Sequence, residues 1–150
     1  MPVARVTPYM DWDYFTSMAA SLRVYLFRHG TVPAWNVMFC GGRPELANPQ
    51  SWAFTWVSLF AYLFSPNWAV MMIWLVMTVV GFASCYALFR DWTDSRLGAV
   101  VGAVLYSLNG YFGSHFNVGH VTFAFYHLVP LMMWCFARAR LKHPWRAVWA

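Results

Sequence analysis

The sequence predicts an all-α, polytopic helical membrane protein, and three observations lead to this fold class. Of the 150 residues, 61% are hydrophobic and 21% aromatic, whereas only 10% are charged. Soluble domains carry about 25% charged residues, so this chain has too little polar surface to cover a globule in water. Apolar stretches of spanning length also recur, with basic residues at their ends, as is typical of membrane proteins.

Residues 1–66 are predicted to form an extracytoplasmic region that contains an amphipathic helix at residues 13–29. The apolar side chains of this segment recur at helical spacing and form one face, composed of Phe15, Met18, Ala19, Leu22, Tyr25 and Leu26. Asp11 or Asp13 is suited to cap the start of the helix, and Gly30 is suited to end it. Such a helix is expected to lie in the membrane interface.

The remainder of this first region is predicted to be a loop followed by a short apolar helix. Residues 31–51 are punctuated by proline and glycine, which are typical of irregular backbone. Residues 52–64 are apolar but too short to cross a bilayer, which takes about 20 residues. We therefore expect a short interfacial or re-entrant helix at residues 52–64.

Residues 67–150 are predicted to be part of a transmembrane bundle with about three spans, at residues 68–89, 97–113 and 120–137. The first span carries no charge. The second contains Gly98 and Gly102, whose spacing permits close packing of helices. The third contains Pro130, which a span tolerates when neighbouring helices satisfy the freed carbonyl group.

The basic residues predict the orientation of the spans. The turn at 90–96 and the tail at 138–146 are basic and are expected to be cytoplasmic. Within that turn, Asp91 and Asp94 are expected to balance Arg90 and Arg96. Residues 1–66 and a short polar turn at 114–119 are then expected to face the outside.

Several classes of function are excluded by the sequence. The net charge of +5 is spread along the chain instead of forming one basic patch, so nucleic acid is not an expected partner. Cys40, Cys85 and Cys135 lack the spacing of a zinc site, so no metal is expected. Neither a glycine-rich phosphate loop nor a dinucleotide-binding motif is present, so no soluble cofactor is expected.

The outer region holds Asp11, Asp13 and Glu45, which are three of only five acidic residues. Asp11 and Asp13 flank Trp12 just before the first helix. One hypothesis is that either carboxylate is a general base that activates an acceptor hydroxyl at the membrane surface. The alternative is helix capping, which contributes about 1 kcal/mol.

Other candidate site residues carry a functional and a structural interpretation each. Glu45 is either a ligand contact or a solvated loop charge, and Arg43 either binds a phosphate or is simply exposed. His115 and His120 are suited to bind a metal or phosphate or to relay protons. His127, inside a predicted span, is either functional or a neutral hydrogen-bonding side chain. Trp12 and Trp35 are interfacial residues or sugar-stacking platforms.

The order of several short motifs also suggests a family. Asp11-Trp12-Asp13 and the amphipathic helix are followed by Trp35-Asn36, Cys40-Gly41-Gly42, Ala47-Asn48-Pro49-Gln50, Ser107-Leu108-Asn109-Gly110, Gly119-His120 and Leu128-Val129-Pro130-Leu131. Over roughly Asp11 to Arg140 this order resembles the N-terminal part of bacterial YfhO-type membrane proteins. Those proteins are similar to the GT-C superfamily of glycosyltransferases.

The resemblance implies a multi-pass enzyme of the bacterial inner membrane that transfers sugar from a polyprenyl-phosphate-linked donor outside the cytoplasm. In that superfamily an acidic residue of the first outer loop is central to catalysis, and the matching positions here are Asp11 and Asp13. We expect the candidate substrate contacts to be Arg43, Glu45, His120, Trp35 and Asn36. The family has a preceding helix and many further spans, so the chain is expected to be a fragment.

Two other classes of function compete with the glycosyltransferase hypothesis. A non-catalytic integral membrane subunit of a larger complex would use Gly98 and Gly102 to pack against a membrane-protein partner. A transporter or flippase component would use His127 and Pro130 in one span. No pair of interrupted spans in symmetric positions supports the transporter hypothesis.

Overall fold

The computed structural model describes residues 11–142 apart from Cys40 and Pro49, and this part of the chain is mainly helical. Its elements in chain order are α1 (Trp12–His29), β1 (Trp35–Asn36), β2 (Arg43–Pro44), α2 (Ser58–Leu63), α3 (Pro66–Thr93), α4 (Arg96–Ser107), α5 (Gly110–Val118), a 3-10 helix (Val121–Leu128) and α6 (Val129–Lys142). The mainly helical composition agrees with the predicted class. Predictions that concern residues 1–10, Cys40, Pro49 or 143–150 lie outside the described residues.

Two helical segments are long and apolar enough to cross a membrane. They are Pro66–Thr93 and Val121–Ala139, which contain 18-residue stretches with mean hydropathies of 2.0 and 1.2, respectively. The second segment consists of the 3-10 helix and the part of α6 up to Ala139. These two segments correspond to the first and third predicted spans.

Contacts divide the chain into two compact units, which differ from the predicted division at residue 66. The first unit runs to Trp74 and also includes His115–Thr122, whereas the second comprises Leu75–Ser114 and the residues from Phe123 onward. Most of the polar turn predicted at 114–119 therefore groups with the N-terminal region.

The predicted amphipathic helix is confirmed as α1. Its buried side chains include Phe15, Met18 and Leu22, and the Phe15 ring stacks on Trp52 at 5.6 Å between centroids. Gly30 ends the helix with a left-handed φ of 64°, and its N–H bonds to the carbonyl of Leu26. The spacing of the apolar residues thus predicted which face of the helix is buried, and Gly30 predicted where the helix ends.

The short apolar helix is shorter than predicted. Only Ser58–Leu63 forms α2, and tight turns occupy the preceding residues, where Thr55 N–H bonds to Trp52 and Ser58 N–H bonds to Thr55. These bonds reach back three residues instead of four, so the segment is wound more tightly than an α-helix. The prediction of helix over 52–57 was wrong.

The prediction of one continuous second span at 97–113 was also wrong. Helix α4 ends at Ser107, and α5 begins at Gly110 and continues through the predicted turn to Val118. The Asn109 side chain accepts a hydrogen bond from Phe112 N–H at 3.1 Å, as an N-cap residue does. A new helix therefore starts at Gly110, within the apolar run that predicted a single continuous helix.

The second unit contains a buried imidazole that packs against a glycine. His127 is fully buried, and its ring stacks on Phe112 at 3.8 Å between centroids. A Cβ atom on Gly81 would lie 2.5 Å from His127 Nδ1, so only glycine admits the ring. A Cβ on Gly102 would similarly lie 2.8 Å from the Phe89 ring. Gly102 therefore serves packing inside this unit.

Charged residues connect two helix ends in the second unit. Arg138 Nε and Nη2 donate to the two carboxylate oxygens of Asp91 at 2.7 and 2.8 Å, and Trp134 Nε1 donates to the same group. Asp94 pairs with Arg90 as expected, whereas Asp91 pairs with Arg138 instead. The contact brings the end of α3 beside α6.

Candidate functional site

A buried polar cluster lies in the loop between α1 and α2, and its centre is Glu45. Residues 31–51, predicted to be irregular, contain a two-residue antiparallel pair in which Asn36 lies opposite Arg43. Glu45 is 2% exposed and Asn36 is fully buried. The interpretation of Glu45 as a solvated loop charge was therefore wrong, because the loop folds over its carboxylate.

The carboxylate of Glu45 is held by three side chains. Asn36 Nδ2 donates to Oε1 at 2.9 Å and Arg43 Nε donates to the same oxygen at 3.1 Å. The Ser51 hydroxyl donates to Oε2. A buried charge is costly unless it is paired and hydrogen-bonded, and this cluster supplies both conditions for Glu45.

Helix α1 contributes one wall of the cluster through polar side chains seven residues apart. The Ser21 hydroxyl accepts from Asn36 Nδ2 at 3.0 Å, and the Tyr14 hydroxyl accepts from Arg43 Nη1 at 2.8 Å. Positions seven apart lie on the same side of a helix. Tyr14, Ser21 and Ser51 were not predicted as site residues. For the first two, their separation of seven residues along the predicted helix was the available signal.

Arg43 is the member of the cluster best placed to meet an anion. Its guanidinium lies 4.0 Å from the centre of the Phe39 ring, and its side chain is 19% exposed. Nη2 has no hydrogen-bond partner within the described residues, although it is buried. Arg43 thus has a donor that the loop itself does not use. Asn36 and Glu45 have their bonding capacity taken up by the cluster, so their geometry suits holding Arg43 in place.

Trp35 lies at the surface next to the same strand pair. Its side chain is exposed, and a Cβ on Gly42 would lie 2.2 Å from the indole Nε1. The indole therefore rests against the backbone of Gly42 and keeps a face open to solvent. This placement suits either an interfacial tryptophan or a platform for a sugar ring.

A second polar cluster forms at the start of α1 from Asp11, His115 and His120. Asp11 Oδ2 lies 3.4 Å from His120 Nε2, and the Nδ1 atoms of His120 and His115 are 2.8 Å apart. A carboxylate beside one ring nitrogen favours a proton on that nitrogen, which leaves Nδ1 of a neutral His120 as an acceptor. The geometry thus forms a chain of Asp11, His120 and His115.

The backbone places this second cluster. Asp11 N–H bonds to the carbonyl of Val118 at 2.9 Å, and Trp12 Nε1 bonds to the carbonyl of Asn117 at 3.3 Å. Gly119 turns the chain with a φ of 83° so that His120 faces the start of α1. Asp11 makes no side-chain capping bond, so capping does not explain this aspartate.

Asp13 differs from Asp11 in its surroundings. Its side chain is exposed, and among the described residues it forms no hydrogen bond or ion pair. The structure therefore brings Asp11 together with His120, and it leaves Asp13 alone on the surface of the first turn.

The two clusters lie beside the same turn of α1. Asp11 belongs to the histidine cluster, and Tyr14, three residues later, contacts Arg43. Residues three apart are neighbours on a helix surface, with Cβ atoms about 5–6 Å apart. Among residues 11–142, Cys40 and Pro49 excepted, no group of three or more His, Cys, Asp or Glu side chains is arranged to hold a metal ion.

Comparisons with protein-family models, with curated proteins and with solved structures give no match for this chain.

Proposed function

We propose that the chain is part of a multi-pass, membrane-embedded glycosyltransferase that uses a polyprenyl-phosphate-linked sugar donor on the extracytoplasmic side. The observation that supports this proposal is the exposed carboxylate of Asp11, 3.4 Å from His120 Nε2. A carboxylate that a histidine positions, and that solvent still reaches, has the features of a general base. Asp13 lacks such a partner, so Asp11 is the proposed base.

In the proposed reaction Asp11 removes the proton of an acceptor hydroxyl. The hydroxyl oxygen attacks the anomeric carbon of the donor as the bond from that carbon to the phosphate oxygen breaks. The phosphate leaves with the bonding electron pair, and the configuration at the anomeric carbon inverts. His120 acts as a positioning residue that orients Asp11.

The loop cluster supplies the groups proposed to contact the donor. Arg43 is the proposed phosphate contact, because a guanidinium matches phosphate geometry and its side chain is partly exposed at the edge of the cluster. Trp35 is the proposed sugar platform. Asn36 and Glu45 are proposed to act through Arg43, since both are buried beneath it.

A non-catalytic subunit is the second candidate, and the outer face of α4 favours it. Leu97 and Leu105 are each at least 68% exposed there, and so is Leu108 just beyond the end of the helix. A helix that faces lipid exposes apolar side chains in the same way. Gly102, the residue expected to pack against a partner, instead packs against Phe89. Co-purification of a stable partner, with unchanged envelope sugars on deletion, would favour the subunit hypothesis over the enzyme.

The proposed orientation can be tested by labelling single cysteines at Ser17, Thr93 and Asn117, all of which are exposed. In intact cells and a cysteine-free background, we expect an impermeant maleimide to label positions 17 and 117 but not 93. Labelling at 93 alone would place Asp11 in the cytoplasm and remove the basis for the proposed site. Permeabilised cells, in which all three positions should react, provide the control.

The proposed base can be tested by comparing Asp11→Asn with Asp13→Asn. We expect Asp11→Asn to slow sugar transfer by about 10²–10⁴-fold, since that is the usual contribution of a positioned acid or base. The matched Asp13→Asn variant should retain activity. Transfer would be followed in membranes by mass spectrometry of the lipid-linked sugar pool. Full activity of Asp11→Asn would contradict the proposal.

A further inference from the structure

A basic cleft at the far end of α1 is separate from both clusters. It has a volume of about 280 Å³ and is lined by Ala20, Arg23, Val24, Phe27, Arg28 and Pro66. Arg28 lies 17 residues after Asp11, which corresponds to about 25 Å along a helix at 1.5 Å per residue. The cleft is therefore too far from Asp11 to hold the leaving phosphate of the proposed reaction.

Arg23 is fixed in this cleft by backbone carbonyl groups. Its Nη1 donates to the carbonyl oxygens of Tyr62 and Phe64, each at 2.8 Å, and to that of Ala61 at 3.4 Å. These carbonyls lie at the end of α2, where cationic side chains interact favourably with the helix dipole. Because Nη1 is the only Arg23 side-chain atom that donates a hydrogen bond within the described part of the chain, the remaining guanidinium donors stay available to a ligand.

The positive charge of the cleft is not balanced within the described residues. Neither Arg23 nor Arg28 forms an ion pair with a carboxylate there, and Arg28 is exposed. The cleft therefore presents two cationic side chains to whatever enters it.

The same cleft has an apolar side. Phe27 is 64% exposed, and Ala20 and Val24 line the surface beside it. Pro66 begins α3, and the first N–H groups of a helix carry partial positive charge. The exposed indole of Trp68 follows, and tryptophan favours the headgroup level of a bilayer. An apolar wall beside two guanidinium groups matches a molecule with an anionic head and an apolar body.

The geometry points to a binding site in this cleft for the phosphate of an anionic phospholipid. The phosphate contacts Arg23 and Arg28, and the glycerol and the first acyl carbons lie against Phe27. Arginine suits this role because its planar donors match phosphate oxygens. The bound lipid fixes α1 at the membrane surface, and this role does not depend on sugar transfer.

The site can be tested on the purified full chain in detergent with three probes: a short-chain phosphatidylglycerol, the matching phosphatidylcholine and inorganic phosphate. We expect the anionic lipid to bind most tightly. Arg28→Gln should weaken its binding by about fivefold, as for one basic residue at an anionic surface. Arg96→Gln removes the same charge outside the cleft and should leave binding unchanged.

A second variant separates the lipid from a free anion. Phe27→Ala should weaken binding of the anionic lipid by about threefold to tenfold, because apolar burial is lost, and it should not affect inorganic phosphate. Since Arg28 and Phe27 are both exposed, neither substitution should unfold the chain. Equal losses for Arg28→Gln and Arg96→Gln would overturn the site, as would inorganic phosphate binding as tightly as the lipid.

Discussion

Replacing Glu45 by alanine should lower the free energy of unfolding by about 3–5 kcal/mol, because removing one partner of a buried ion pair leaves the other charge uncompensated. The Glu45 side chain is 1% exposed, and it accepts hydrogen bonds from Asn36, Arg43 and Ser51. Its loss leaves Asn36 Nδ2 and Arg43 Nε without their carboxylate acceptor and leaves the Arg43 charge unpaired. Thermal or denaturant unfolding in detergent would measure the difference.

Two control variants make the Glu45 result specific. Asp94→Ala also breaks an arginine–carboxylate pair, but that pair is at the surface, so its loss should cost less than about 1 kcal/mol. Glu45→Gln keeps the size and shape of the side chain, but it removes the charge and replaces one acceptor oxygen by an NH2 donor, so its cost should lie between the two. If Glu45→Ala were no more destabilising than Asp94→Ala, the loop cluster would not stabilise the fold.

The helices with simple periodicity could be predicted from sequence, and the interruption of one apolar run could not. The expected helix at 13–29 differs from α1 by one residue at its start. The run at 97–113 was apolar enough to predict one span, yet Asn109 caps a new helix within it. Average hydropathy does not detect a single capping side chain, since its effect depends on one local hydrogen bond.

The candidate site was predicted in part. Asp11, His120, Arg43 and Trp35 were identified by residue type and motif order, but their partners were not. Ser21 and Asn36 are 15 residues apart, and Tyr14 and Arg43 are 29 apart. Such pairs depend on how the loop folds back onto α1, which no local pattern encodes. The burial of Glu45 was missed for the same reason.

Replacing Gly119 by alanine should destabilise the chain by about 2–5 kcal/mol and should separate His120 from Asp11. The φ of Gly119 is 83°, where an L-residue costs about 1–2 kcal/mol. The added Cβ would also lie 2.4 Å from the backbone nitrogen of Trp12. That nitrogen belongs to the first turn of α1 and cannot move alone, so overpacking adds about 1–3 kcal/mol.

Gly41→Ala is the matched control, because Gly41 has a φ of 80° and, apart from its chain neighbours, no described residue has an atom within 4 Å of the added Cβ. It should show only the backbone cost of about 1–2 kcal/mol. Unfolding in detergent gives both values, and their difference isolates the contact between Gly119 and Trp12. Since the Asp11 N–H bond to Val118 lies beside that contact, Gly119→Ala should also reduce sugar transfer, whereas Gly41→Ala should not. Equal stability of the two variants would mean that the turn before His120 does not pack against α1, and the Asp11–His120 arrangement would lose its support.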